Sequence, residues 1–128
     1  MLITSLHAAV ADGDPTIQGV ADNGDGSYRV DLANGSTRAA TAAEILAAVK
    51  AERIASINAE VRSRLIARYG VAEEQVSRAI GVYGVAEQNA MANGIAATVD
   101  ASNVAQNSII TAANAAAVEA VAVMWPVI

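Results

Sequence analysis

A chain of 128 residues with a formal net charge of −5 is about one domain's worth of sequence, and its charge offers nucleic acid no electrostatic footprint. Cysteine is absent, which excludes disulfides and thiolate metal sites. Hydrophobic residues make up 54 %, yet Phe is absent, Trp occurs once and Tyr three times, so alanine and valine supply most of the apolar content.

Small side chains bury little area per residue, at roughly 25 cal/mol per Å². That composition points to close helix packing or to a second copy of the chain. The first stretch, MLITSLHAAVADGDP, is apolar for about ten residues and lacks a basic n-region, so it reads as a strand or ordered arm rather than a signal peptide. His7, the only histidine, falls on it with no nucleophile or carboxylate at a useful spacing. Asp12 and Asp14 flank Gly13 in a solvated turn. No apolar run reaches the ~20 residues of a membrane span, so no membrane partner is expected.

Thr16–Val20 and Ser27–Leu32 read as strands. In the second, Tyr28, Val30 and Leu32 share one face while Arg29 and Asp31 share the other. Asp22-Asn23-Gly24-Asp25-Gly26 lies between them. A helix–loop–helix calcium site needs oxygen ligands at positions 1, 3 and 5, and counting from Asp22 places Gly24 and Gly26 at the latter two. No basic residue or GxxxxGK[ST] pattern follows, so a phosphate cradle fails as well. The stretch reads as a hairpin turn, and Asn34-Gly35 as a second one.

Thr41-Ala42-Ala43-Glu44 is a capping box. A long helix follows to Tyr69, with an apolar stripe of Ile45, Val49, Ile54, Ile57, Val61 and Leu65. Glu60 and Arg64 support each other at i,i+4. Gly70 is a natural stop. A second helix is expected from Val71 or Ala72 to about Asn93-Gly94, with Gly81 and Gly84 inside it at a tight helix crossing. A third is expected from Asp100, as N-cap, to about Glu119. Val121-Ala122-Val123-Met124-Trp125-Pro126 alternates and suits a short strand returning to the sheet.

The expected fold class is therefore α+β. Residues 1–40 form a small antiparallel β module, and 41–128 an alanine-rich bundle of three helices with a short extended C-terminal segment. Catalytic, cofactor and metal sites are expected to be absent: the chain holds no Gly-x-Ser-x-Gly and no convincing carboxylate pair. The interface candidates are Trp125, Pro126, Tyr83, Gly81, Gly84 and Met91. Trp125 serves either as a plug for the chain's own core or as an anchor into a neighbour.

The stretch INAEVRSRLIARYGVAEEQVSRAIGVYG and the ending VDASNVAQNSIITAANAAAVEAVAVMWPVI carry a further reading. They resemble small tail-region proteins of tailed bacteriophages and prophages. The matching residues are Arg53, Ile57, Asn58, Glu60, Ala67, Arg68, Tyr69, Trp125 and Pro126. The resemblance covers roughly the last 75 residues. It implies a structural virion protein of the fibre, adaptor or baseplate region, made in the host cytoplasm. Its partners would be copies of itself, as a trimer or hexamer, and other tail proteins. Two other readings stand beside it. One is a tail-fibre assembly chaperone; the other is an ion- or sugar-binding module at a fibre tip, resting on the acidic turn from Asp22 to Asp31.

Overall fold

The structure, a computed structural model, describes residues 2–128. Met1, the first residue of the expected N-terminal strand or arm, lies outside them. The chain is mainly helical. In order it forms α1 (Leu2–Ala11), β1 (Ile17–Asp22), β2 (Tyr28–Leu32), β3 (Thr37–Ala39), α2 (Ala42–Tyr69), α3 (Ala72–Ala79), α4 (Val85–Ile110) and α5 (Ala115–Glu119). This corrects the expected α+β layout of a β module followed by three helices: a helix comes first, the sheet follows it, and four more helices follow the sheet.

Contacts divide the chain into two compact units. One runs up to Arg53 and includes Ala112–Glu119; the other comprises Ile54–Thr111 and Ala120–Ile128.

In the first unit, α1 forms where a strand or arm was expected. Leu2, Leu6 and Val10 recur every four residues, a spacing that one helix face also satisfies. A helix closes its own backbone hydrogen bonds, whereas a strand here would need a free sheet edge. Leu6 and Val10 join Val30 and Ala48 in the core, with Ile17, Val20, Tyr28, Leu32 and Ile45 packed around them. His7 accordingly sits on the exposed side of a helix.

The sheet is antiparallel in the order β1-β2-β3. Val20 faces Val30, and the β1–β2 register shifts between Ile17 and Gly19. Buried Val30 and exposed Arg29 show the alternation of a half-covered strand. β3 is short and wholly exposed, which is why its three residues carry no apolar pattern.

The capping box forms as read. Glu44 N–H donates to Thr41 Oγ1 at 3.2 Å, and Thr41 N–H donates to Glu44 Oε1 at 2.9 Å. Arg38, from β3, adds a two-pronged bond to the same carboxylate at 2.8 and 3.0 Å. Sheet and helix start are thereby tied at one side chain.

In the second unit, α2 and α4 run antiparallel. Two distant bonds fix this. Tyr69 Oη donates to the Ala90 carbonyl at 3.3 Å, and Gln106 Nε2 donates to Asn58 Oδ1 at 2.9 Å. Ile57, Tyr69, Met91, Ala105 and Ile109 are buried there. Thr98 is buried too, and its hydroxyl donates back to the Gly94 carbonyl at 2.8 Å.

Three expectations for the helices are corrected. First, the helix beginning at Ala72 stops at Ala79, and Ile80–Gly84 is a turn. Gly81 and Gly84 have φ of 84° and 99°, a backbone that L side chains avoid, so they break the helix rather than sit within it. No close crossing uses them: nothing lies within 4 Å of where a Gly84 Cβ would stand. Second, α4 passes unbroken through Asn93-Gly94 and Asp100, so Asp100 caps nothing. Gly94 is the close-approach glycine, because a Cβ there would fall on the Tyr69 hydroxyl. Third, the expected helix to Glu119 ends at Ile110. A separate α5 is capped by Asn114, whose Oδ1 accepts from Ala117 N–H at 2.8 Å. The segment after Glu119 has no regular secondary structure and forms no returning strand.

Candidate functional site

The acidic turn bends its carboxylates onto its own backbone. Asp22 Oδ1 accepts from Gly24 N–H at 2.7 Å, and Asp25 Oδ1 accepts from Ser27 N–H and Oγ at 2.9 and 2.5 Å. The Ser27 hydroxyl, then its N–H, hold the Asp25 carboxyl below its usual range. Asp31 pairs with Arg29 at 2.7 Å. The hydrogen-bonding demand of these acids is met by turn chemistry. No group of three or more potential metal ligands forms among the described residues.

The first unit also has an apolar pocket of about 490 Å³ between the start of α2 (Ala42–Leu46) and Ala113–Ala115. Its single polar side chain, Asn114, is occupied in capping α5. It offers shape but no chemistry.

The second unit concentrates the exposed apolar surface. Twelve large hydrophobic residues are exposed among the described residues, and all twelve fall in this unit. Six lie within one short stretch: Val71, Val76, Ile80, Val82, Tyr83 and Val85, each more than half exposed. α3 buries no residue at all. Its apolar side, with Ala72, Val76, Ala79 and Ile80 at i, i+4, i+7 and i+8, faces out.

The corner made by α3, its turn and the start of α4 is held by polar side chains reaching for backbone. Arg78 Nη1 meets Glu87 Oε2 at 2.6 Å, its Nε donates to the Tyr69 carbonyl at 3.3 Å, and its guanidinium lies 5.0 Å from the Tyr83 ring. Gln88 Nε2 donates to the Ala79 carbonyl at 2.6 Å, and Gln75 Nε2 to the Gly70 carbonyl at 2.8 Å. An exposed apolar surface on a braced frame is already organised for contact. Sequence reasoning missed Arg78. Its partners are nine residues away in both directions, and no local pattern announces such a hub.

The C-terminal segment makes a second surface. The Arg64 guanidinium stacks 4.6 Å from the Trp125 ring while also pairing with Glu60 at 2.9 Å. Pro126 and its two successors flank a cleft of about 300 Å³ against Tyr69, Asn93 and Gly94. Met124 and Val127 point to solvent.

The six interface candidates therefore separate. Gly81, Tyr83 and Gly84 lie at the α3 corner, and Trp125 and Pro126 at the C-terminal cleft. Met91 is buried in α4.

No family model, no curated protein and no solved structure matches the chain.

Five of the residues that the sequence reading matched to phage-tail proteins have packing roles within the second unit. Ile57 is core, Asn58 bonds Gln106, Glu60 holds Arg64, Tyr69 bonds Ala90, and Trp125 covers Arg64. Among the described residues no helix is long and apolar enough to cross a membrane.

Proposed function

We propose that this chain is a structural component of a tailed-phage tail, acting by protein–protein packing rather than catalysis. The observation that carries this is the placement of every exposed large hydrophobic residue, among those described, in the second unit. Six of them within one short stretch, Val71 to Val85, make the kind of exposed apolar surface that an assembly covers. The braced corner at Arg78 supports the same reading, since a surface fixed before contact loses less ordering entropy on binding. The phage-tail resemblance of residues such as Asn58, Tyr69 and Trp125 supplies the biological setting.

The test is the protein composition of purified particles, with immunogold labelling to locate the chain. Its presence at fixed stoichiometry in the tail is expected. A chain missing from particles yet bound to a fibre protein in producing cells would overturn the structural reading in favour of an assembly factor.

A further inference from the structure

Three asparagines of this chain precede glycine: Asn23, Asn34 and Asn93. An Asn-Gly pair carries its own chemistry. The glycine nitrogen, once it gives up its proton, can attack the asparagine side-chain carbonyl carbon, and no Cβ on the glycine hinders the approach. The structure gives the three pairs different surroundings.

Asn93-Gly94 lies inside α4, where helical geometry commits the Gly94 amide to the carbonyl four residues back, and Gly94 is buried against the Tyr69 hydroxyl. Asn23-Gly24 is exposed, but the Asn23 side chain is turned across its hairpin, with Nδ2 donating to Ser27 Oγ at 2.9 Å. The Gly24 N–H donates to the Asp22 carboxylate at 2.7 Å. A charged acceptor holds that proton roughly twice as strongly as a neutral one, and a carboxylate beside the nitrogen opposes the amide anion.

Asn34-Gly35 is arranged the other way. It lies exposed in the turn between β2 and β3. Asn34 Oδ1 accepts from Ser36 N–H at 3.0 Å and from Ser36 Oγ at 2.5 Å. A bond from Oδ1 to the amide two residues on folds the side-chain carbonyl back over the Gly35 peptide. Donors on that oxygen stabilise the negative charge it gains on attack, as an oxyanion hole does. The Gly35 N–H donates to a neutral acceptor, the Leu32 carbonyl, at 3.0 Å. Nδ2, the leaving amine, makes no hydrogen bond among the described residues.

The geometry points to Asn34 as a site of spontaneous deamidation in the folded protein. Solvent base takes the Gly35 amide proton, and the nitrogen bonds to Asn34 Cγ. The Cγ–Nδ2 bond breaks, and the amine leaves as ammonia with a proton from water. Water then opens the resulting succinimide at either carbonyl, giving aspartate or isoaspartate, with nothing oxidised or reduced. Either product adds a negative charge to a chain already at −5. Isoaspartate also lengthens the backbone by a methylene inside the turn that the Leu32 N–H closes on the Ser36 carbonyl at 2.9 Å. β3 follows that turn and carries Arg38, the partner of Glu44, so the reaction loosens the tie between sheet and α2.

The test is peptide mass spectrometry of the folded chain aged in mildly alkaline buffer. Trypsin cuts after Arg29 and Arg38, so Val30–Arg38 carries Asn34 and the fragment ending at Arg29 carries Asn23. Replacement of –NH2 by –OH is read as a mass gain in each. In the folded protein Asn34 is expected to convert at least about tenfold faster than Asn23. In urea, where neither turn survives, the two rates should converge. Ser36→Ala removes one donor to Oδ1 and should slow Asn34 severalfold while leaving Asn23 unchanged. Equal rates for the two asparagines in the folded chain would overturn the assignment, as would an Asn34 rate that Ser36→Ala does not alter. A gap that persists undiminished in urea would overturn it too, because the preference would then lie in the local sequence and not in the fold.

Discussion

Glu44 carries more than its share of the first unit's polar order. Its carboxyl is lowered from an ordinary 4.5 to about 2, chiefly because the Arg38 guanidinium donates to it, with Thr41 adding to this and burial opposing it. A carboxylate with a depressed folded-state pKa stabilises the fold fully above its unfolded value, and that contribution fades as pH falls from about 4.5 towards 2. Glu44→Gln should therefore unfold at lower urea than the parent at pH 7, by about 1 kcal/mol for a lost cap, and the gap should shrink at pH 3. An unchanged gap at the two pH values would assign the loss to packing. Thr41 and Glu44 were legible in the sequence because a capping box is local, four residues long and chemically specific. The Arg38 arm was not legible, since it depends on β3 lying beside the helix start. The acidic turn was read correctly from its Asn, Asp and Gly content, because turn chemistry is equally local.

At the scale of elements, sequence and structure part where glycine is concerned. Gly81, Gly84 and Gly94 are equally costly in a free helix, and the sequence reading placed the first two inside a helix and the third at its end. The structure separates them: the first two end and restart helices, while the third lets α4 continue past a buried tyrosine. What distinguishes them is Tyr69, distant in sequence, whose hydroxyl fills the space a Gly94 Cβ would need. Gly94→Ala should raise local helix propensity and still destabilise the protein, by about 1–3 kcal/mol, as overpacked cores do. The companion Tyr69→Phe, Gly94→Ala removes the colliding oxygen and should recover part of the loss, measured as a double-mutant cycle in urea. Simple additivity would mean that the two residues do not meet. α1 was misread for a related reason: Leu2, Leu6 and Val10 share a face in a strand as well as in a helix. Only the tertiary setting, in which Leu6 and Val10 pack into the core with Val30 and Ala48, chooses between them.

The molecule as a whole is uneven. Its first unit covers its large apolar side chains, whereas its second leaves twelve in water among the described residues. The high Ala and Val content predicted reliance on close packing or on copies, but composition could not say which part of the chain would be left uncovered. The C-terminal segment belongs to this question. Removing Met124–Ile128 strips Trp125 from Arg64 and opens the cleft beside Tyr69. A loss of about 1–2 kcal/mol, a few degrees in melting midpoint, is expected on thermal unfolding followed by circular dichroism. An unchanged midpoint would mean that the stack on Arg64 contributes nothing to stability.

The stack of Trp125 on Arg64 also gives the protein an optical signal of its own. The chain has one tryptophan, half-buried against a cation, so its emission spectrum reports on the C-terminal segment and on nothing else. Any partner that lifts, covers or replaces that indole writes its arrival into the colour of the fluorescence, with no dye attached and no residue changed.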